Sequence, residues 1–423
     1  MSTKAIAHAM QIARAAHAAS PRLMTLARAR KDAILRSAAA ILRERQPAIL
    51  AANEKDLRAG ERAKLAPAML DRLRLTPARV EETVAMALAV ADLPDPAGTT
   101  LAEWTRPNGL VIRKVSVPLG TILIIYEARP NVTVECASLC LKSGNTVLLR
   151  GGSEAAHSNQ ALAECFQTAL KAAGLPPASV GIVPAGDRQA IYTLLKQTDL
   201  IQLVIPRGGP SLIRSVTERS RIPVIKHYMG ICHVYVDASA DCAMAERIVL
   251  NAKCQRPGVC NAMETLLVHR PVAEAFLPRI AQALFANGCT LYGCPATRKI
   301  LGRHPQLAIA KEEHFRTEYL DLKCSVRVVD DVQTAVRHIM TYGSQHTDAI
   351  IASDPVAIET FTRDVDSSSV MVNTTTRFSD GFQYGFGAEI GISTDKLHAR
   401  GPMGLDSLTS YKYIVVGAGQ LRN

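Results

Sequence analysis

No apolar run in this 423-residue chain approaches the roughly 18 residues that a membrane-spanning helix needs, so a soluble protein with no membrane partner is expected. Aromatic residues are scarce, at 4% with a single Trp, against a hydrophobic content of 48%. The cores must therefore be built from Ala, Val, Ile and Leu, a mixture usual for α/β proteins. The same scarcity removes the aromatic–basic interleaving of single-strand nucleic-acid binders. The formal charge of +11 is dispersed, with its densest run at Arg22 to Arg45 on an expected amphipathic helix. That charge suits either a solvated helix face or a cleft for anionic small molecules better than nucleic acid. None of the ten cysteines forms a CxxC pair, and no His/Cys group has zinc-site spacing, so reduced thiols, no metal and a cytoplasmic location are expected. GxGxxG is absent too. The first 24 residues lack acidic side chains, as mitochondrial presequences do, though an ordinary surface helix accounts for them equally well.

What is present reads as alternating elements. Residues up to about 95 are helical in pattern, interrupted at Pro47 and Pro67, and 101–116 alternate as a β-hairpin would. From Val117 onward, buried strands alternate with helices: strands at 120–125 and 146–149 flank a helix at 131–141 that carries Cys136 and Cys140 on one face. Further apolar runs lie at 200–205 and 223–225. A second α/β unit follows Cys232, with strands at 234–236, 265–268, 326–329 and 349–351. The tail ends in an apolar run at 411–416, long enough to pair with another subunit. Such alternation argues for open parallel sheets covered on both faces.

Three stretches can carry chemistry. Asn251-Ala-Lys-Cys-Gln-Arg-Pro-Gly-Val-Cys260 sets a thiol on a tight turn just before a buried strand, where a nucleophile is fixed yet reachable. Arg256 and the amides of the turn are expected to favour its thiolate; otherwise such a cysteine is simply structural. Arg150-Gly151-Gly152-Ser153 and Pro206-Arg207-Gly208-Gly209 each follow a buried strand, so their amides can approach a phosphate, although Gly-Gly turns are often only turns. Tyr126-Glu-Ala-Arg129-Pro-Asn131 ends a strand: Arg129 can pair with a carboxylate or phosphate and Asn131 can donate to an oxyanion, or the two are an exposed Arg and a helix cap. His338 and His346 read as structural hydrogen-bonding residues.

Together these motifs, with Cys232-His-Val-Tyr-Val-Asp237, Tyr342-Gly-Ser-Gln-His-Thr-Asp348 and His398-Ala-Arg-Gly-Pro-Met-Gly404, resemble the aldehyde dehydrogenase superfamily over the whole chain, and within it the γ-glutamyl phosphate reductase family. The resemblance implies an aldehyde dehydrogenase-like α/β fold. A cofactor domain would span 1–100 and 119–232 with part of 376–405, a catalytic domain 233–375, and an oligomerisation arm 101–118 with 406–423. It implies NADPH-dependent reduction of L-glutamate 5-phosphate to the 5-semialdehyde and phosphate, in proline biosynthesis, the product cyclising to pyrroline-5-carboxylate. Cys260 would be the nucleophile and Asn131 the oxyanion donor. Arg256 and Arg129 would meet the departing phosphate. Arg150, Gly151, Gly152, Ser153, Pro206, Arg207, Gly208 and Gly209 would line the cofactor cleft, and Glu318 would hold the nicotinamide ribose. A homodimer or homotetramer is implied, with transient contact to a glutamate 5-kinase. Two departures stand out. Ser153 replaces a Lys common in the family, and 225–230 lacks the carboxylate with which oxidising relatives hydrolyse their thioester, leaving His227 as its only substitute.

Overall fold

The computed structural model describes every residue except Met1, Ala128, His227 and Asn423, and for Ser2 its backbone alone. Five helices come first: α1 (Ser2–Met24), α2 (Arg28–Glu44), α3 (Gln46–Arg62), α4 (Pro67–Leu73) and α5 (Pro77–Asp92). Pro47 and Pro67 sit in the first turns of α3 and α4, where a missing N–H costs nothing. The amino-terminal segment is more than a surface helix: Ala9, Ala13 and Ala16 lie on one buried stripe of α1, and their small side chains allow close packing against a sheet. The basic run at Arg22 to Arg45 is split between the end of α1 and α2. Many of its charges are bound within the fold. Buried Lys31 meets both oxygens of Asp95, at 3.0 and 2.9 Å, and Arg30 donates to the carbonyl of Ala173, at 2.8 Å.

An exposed hairpin follows, β1 (Thr100–Thr105) and β2 (Val111–Pro118). Then β3 (Thr121–Tyr126), β4 (Thr146–Arg150), β5 (Val180–Ile182) and β6 (Leu203–Arg207) form a parallel sheet in the order β5-β4-β3-β6. Along β3 the faces alternate. Ile122, Ile124 and Tyr126 enter a core with α2, α5, α6 (Asn131–Lys142) and α7 (Ala156–Ala172), while Leu123 and Ile125 pack with α1. Both faces are covered, which is why the strand reads as an unbroken apolar run. The expected strand at 223–225 reduces to one bridge, Val204 with Val224.

The second parallel sheet has seven strands: β7 (Cys232–Val236), β8 (Met263–His269), β9 (Thr290–Gly293), β10 (Leu307–Ile309), β11 (Lys323–Val329), β12 (Thr347–Ile351) and β13 (Ser369–Val372). Their order is β10-β9-β11-β8-β7-β12-β13. Cys232 already pairs with Met263, so the division drawn between 232 and 233 falls inside a strand. Two short strands, β14 (Ile392–Ser393) and β15 (Gly401–Pro402), mark a tail whose Ala388, Ile390 and Met403 join the first core. The last strand, β16 (Thr409–Val416), pairs antiparallel with β2 of its own chain and leaves its outer edge exposed. No helix among the described residues is long and apolar enough to cross a membrane.

Candidate active site

Strands β3, β4 and β6 end on the same side of their sheet, and their carboxyl ends open into a cleft of about 1180 Å³. Open parallel sheets bind ligands there because loops and helix N-termini converge. The cleft is lined by Arg129, Arg150, Gly152, Ser153 and Pro206 to Gly209 from the first sheet, and by Cys260 and Glu318 from the second unit. Gly151 turns away and borders a neighbouring cavity of about 620 Å³; a Cβ there would meet the Asn159 amide at 2.0 Å. Asn131 is the first residue of α6, exposed, and is not among the residues lining the cleft. Arg256 is exposed on the Cys260 turn and is likewise not among them.

The turn bearing Cys260 lies between helix α10 (Cys242–Cys254) and β8, and it is fixed from several directions. The Cys232 thiol donates to the Cys260 carbonyl, at 3.2 Å. Asn261 donates to the carbonyl of Ser379, at 2.9 Å, and accepts from the Thr376 hydroxyl through its own carbonyl, at 2.7 Å. Gly230 presses on the turn so closely that a Cβ would lie 1.8 Å from the Cys260 oxygen, so only glycine fits. At the base of the turn Lys253 and Glu264, both fully buried, pair at 2.7 Å. Glu318 accepts from the Gly230 amide, at 2.8 Å.

The electrostatics differ from the sequence expectation. The Cys260 thiol is pushed up to about 12, first by burial, then by the carboxylates of Glu389 and Glu318. Its backbone amide and Arg377 act against this, and Arg256 is not among the leading causes. Sequence proximity misled here. The Arg256 charge falls instead on Arg377 and on Arg129, which is held below the ordinary guanidinium value by burial and by Arg72, Arg207 and Arg256. The two expected phosphate ligands, Arg129 and Arg256, are thus brought together within a larger cationic cluster. Sequence reasoning missed Arg377 and Glu389. Glu389 lines the cleft from the tail, accepts from the Gly381 amide at 2.8 Å, and is pushed up to about 7 chiefly by burial.

At the other end of the cleft, Arg150 has a buried Nε with no partner, and burial and neighbouring Arg188 lower its pKa while Glu154 raises it. Arg188 and Glu154 also line the cleft and were not anticipated. Arg207 is kept charged, against burial, by Glu135, Cys136 and Glu389, and its Nη1 lies 3.2 Å from Glu135. His338 is structural as expected: burial, then His233 and Arg327, hold it down at about 2, and it accepts from Arg327 at 3.0 Å. His346 is buried, 2.9 Å from the Thr347 hydroxyl. His227 lies outside the described residues. All ten cysteines are free thiols. The Cys254 thiol is pushed up to about 11 by burial and by Cys289, and it is not among the residues lining the cleft. Cys254→Ala is therefore expected to keep steady-state activity within about twofold of the parent protein, since removing a partly buried sulfur costs only modest packing.

Residues 1–287 match the model of the aldehyde dehydrogenase family. A γ-glutamyl phosphate reductase from Moorella thermoacetica is 52% identical over 400 residues, 95% of each chain. One from Geobacter metallireducens is 53% identical over 410 residues, 97% of each. The crystal structure of γ-glutamyl phosphate reductase from Thermotoga maritima superposes with a TM-score of 0.96 at 41% identity, covering 98% of this chain and 100% of that one.

Proposed function

The chain belongs to the aldehyde dehydrogenase family, among its γ-glutamyl phosphate reductases, and we propose on that footing that it reduces L-glutamate 5-phosphate to L-glutamate 5-semialdehyde through a thioester on Cys260. The reaction belongs to proline biosynthesis. One observation carries the mechanistic reading: Cys260, Glu318 and both Arg-Gly-Gly turns open into a single cleft. Sulfur attacks the acyl carbon, phosphate departs, and the Arg72, Arg129 and Arg256 cluster offsets the charge that departs with it. The oxyanion that forms on the carbonyl is served by the Cys260 amide, because Asn131, the donor of the family pattern, is exposed at the start of α6 and is not among the residues lining the cleft. NADPH, when bound, supplies the hydride that the thioester carbon receives. The tetrahedral species then collapses to aldehyde and returns the electron pair to sulfur. A stoichiometric assay tests this reading: one phosphate should appear for each NADPH oxidised, without coenzyme A. Acyl transfer that requires a free thiol acceptor would sink it.

The cofactor assignment rests on Arg150, whose unpartnered buried Nε is the kind of donor that a 2′-phosphate satisfies, with Arg188 beside it. Ser153 does not repel that phosphate, although Glu154 next to it tempers the local charge. Gly152 and the turn at Pro206 to Gly209 leave room for the pyrophosphate, and Glu318, which lines the same cleft, would hold the nicotinamide ribose as the family pattern implies. NADPH should be preferred over NADH. Losing a charge-assisted hydrogen bond costs about 1.5–3 kcal/mol, so Arg150→Ala should lower kcat/KM for NADPH by about 10- to 100-fold and barely change that for NADH. Equal losses with both coenzymes would move the 2′-phosphate elsewhere. The exposed outer edge of β16 suits self-association into a homodimer or homotetramer. A kinase acting on glutamate must supply the labile acyl phosphate, and ten free thiols suit a reducing cytoplasm.

A further inference from the structure

Burial and the nearby carboxylates hold the Cys260 thiol well above its ordinary value, so at neutral pH it is almost wholly protonated and needs a group to receive its proton. The charged groups bearing on the sulfur are Glu389, Glu318 and Arg377. Each carboxylate has one oxygen committed to a backbone amide, Glu318 to that of Gly230 and Glu389 to that of Gly381, but Glu318 is already assigned to the nicotinamide ribose. Glu389 comes from a different part of the chain. Its Oε2 accepts from the Gly381 amide at the end of a loop that is itself bonded to the Cys260 turn through Asn261. The carboxylate is thereby anchored to the same scaffold as the sulfur, within one cleft.

We propose that Glu389 is the general base that takes the Cys260 proton as the sulfur attacks the acyl phosphate. The S–H proton passes to a Glu389 oxygen while the S–C bond forms. The C–O bond to phosphate then breaks, its electron pair leaves with the phosphate, and Glu389 hands the same proton to the departing oxygen. No oxidant or reductant enters this half-reaction. The groups around Glu389 suit the role. Burial, Asp380 and Glu135 raise its proton affinity, while the Gly381 amide and Arg207 limit the rise, so it exchanges a proton near neutrality.

This inference deepens the proposed reaction and rests on Cys260 being its nucleophile, but its test does not depend on which acyl donor is used. Alkylation of the free enzyme by iodoacetamide, followed at Cys260 by mass spectrometry, should rise through an inflection near pH 7. In Glu389→Gln that inflection should vanish, alkylation at pH 7 should slow about tenfold or more, and kcat should fall by about 10²-fold or more. A carboxylate acting only through its charge predicts the opposite sign, because removing it favours the thiolate and speeds alkylation. Equal or faster alkylation in the variant overturns the proposal. So does a raised KM with unchanged kcat, which would make Glu389 an anchor for the substrate ammonium. If the variant does not fold, the wild-type profile decides alone: a rise confined to strongly alkaline pH, with no step near 7, overturns it. Failure of phosphate release to match NADPH oxidation would instead sink the reaction assignment and leave the alkylation result standing.

Discussion

Cys260→Ala should lower turnover of the acyl phosphate by about 10⁴-fold or more, leaving NADPH binding and the folded state intact. The magnitude follows from the chemistry. With no sulfur at the head of β8, no covalent acyl-enzyme forms, and hydride would have to reach an acyl phosphate that nothing holds in reacting geometry. Burial of the thiol contributes little packing that alanine cannot replace, so thermal stability should change by a small amount. Three measurements check this together: steady-state turnover, NADPH fluorescence on binding, and a melting curve. Mass spectrometry after mixing wild-type enzyme with substrate alone should show an acyl adduct that the variant lacks. Turnover persisting in the variant above a few per cent of wild type would remove Cys260 from the mechanism.

Lys253→Met should destabilise the protein by about 3–5 kcal/mol, a large part of the roughly 5–15 kcal/mol that holds a typical protein folded. Lys253 and Glu264 are fully buried and 2.7 Å apart, so removing the ammonium leaves a buried carboxylate without its charged partner, with the Leu320 amide still donating to it at 3.2 Å. The sign of the pH dependence follows. Glu264 is pushed up to about 7, chiefly by burial, above its ordinary carboxylate value, even with Lys253 present. A carboxylate raised on folding favours the folded state below its unfolded pKa, and that advantage is lost as pH rises through the folded value. Without Lys253 the raised value climbs further, so the deficit should be smaller at pH 5 than at pH 8. Replacing both partners, as Lys253→Met with Glu264→Leu, should restore much of the loss. Urea unfolding at the two pH values measures each quantity; a deficit that grows on acidification would contradict the account.

The two predictions draw on parts of the molecule that differ in how openly the sequence displays them. Cys260 and the two Arg-Gly-Gly turns were legible because each is a local pattern, a turn placed directly against a buried strand. Strands β3, β4, β7, β8 and β12 were legible for a related reason: side chains buried on both faces leave an unbroken apolar run. By contrast, β5, β9, β10 and β13 are short, and each mixes in partly or fully exposed residues, so no run marks them. Glu389 and Arg377 were invisible because only the folded tail carries them to the sulfur. Arg256 was overvalued because it is near Cys260 along the chain, while its charge is felt by Arg129 and Arg377. The Lys253–Glu264 pair was unreadable, since burial and not residue type makes it matter.

The way the Cys260 turn is pinned, by Cys232, Asn261, Thr376 and the close backbone of Gly230, bears on how this protein can be redesigned. The Cys260 sulfur is positioned by segments remote in the chain, so shuffling the short peptide around it would disturb registration on several fronts at once. The cationic cluster of Arg72, Arg129 and Arg256 is a better place to work. On the proposed mechanism, changing those side chains should retune which leaving group is accepted while the sulfur stays where the rest of the protein holds it.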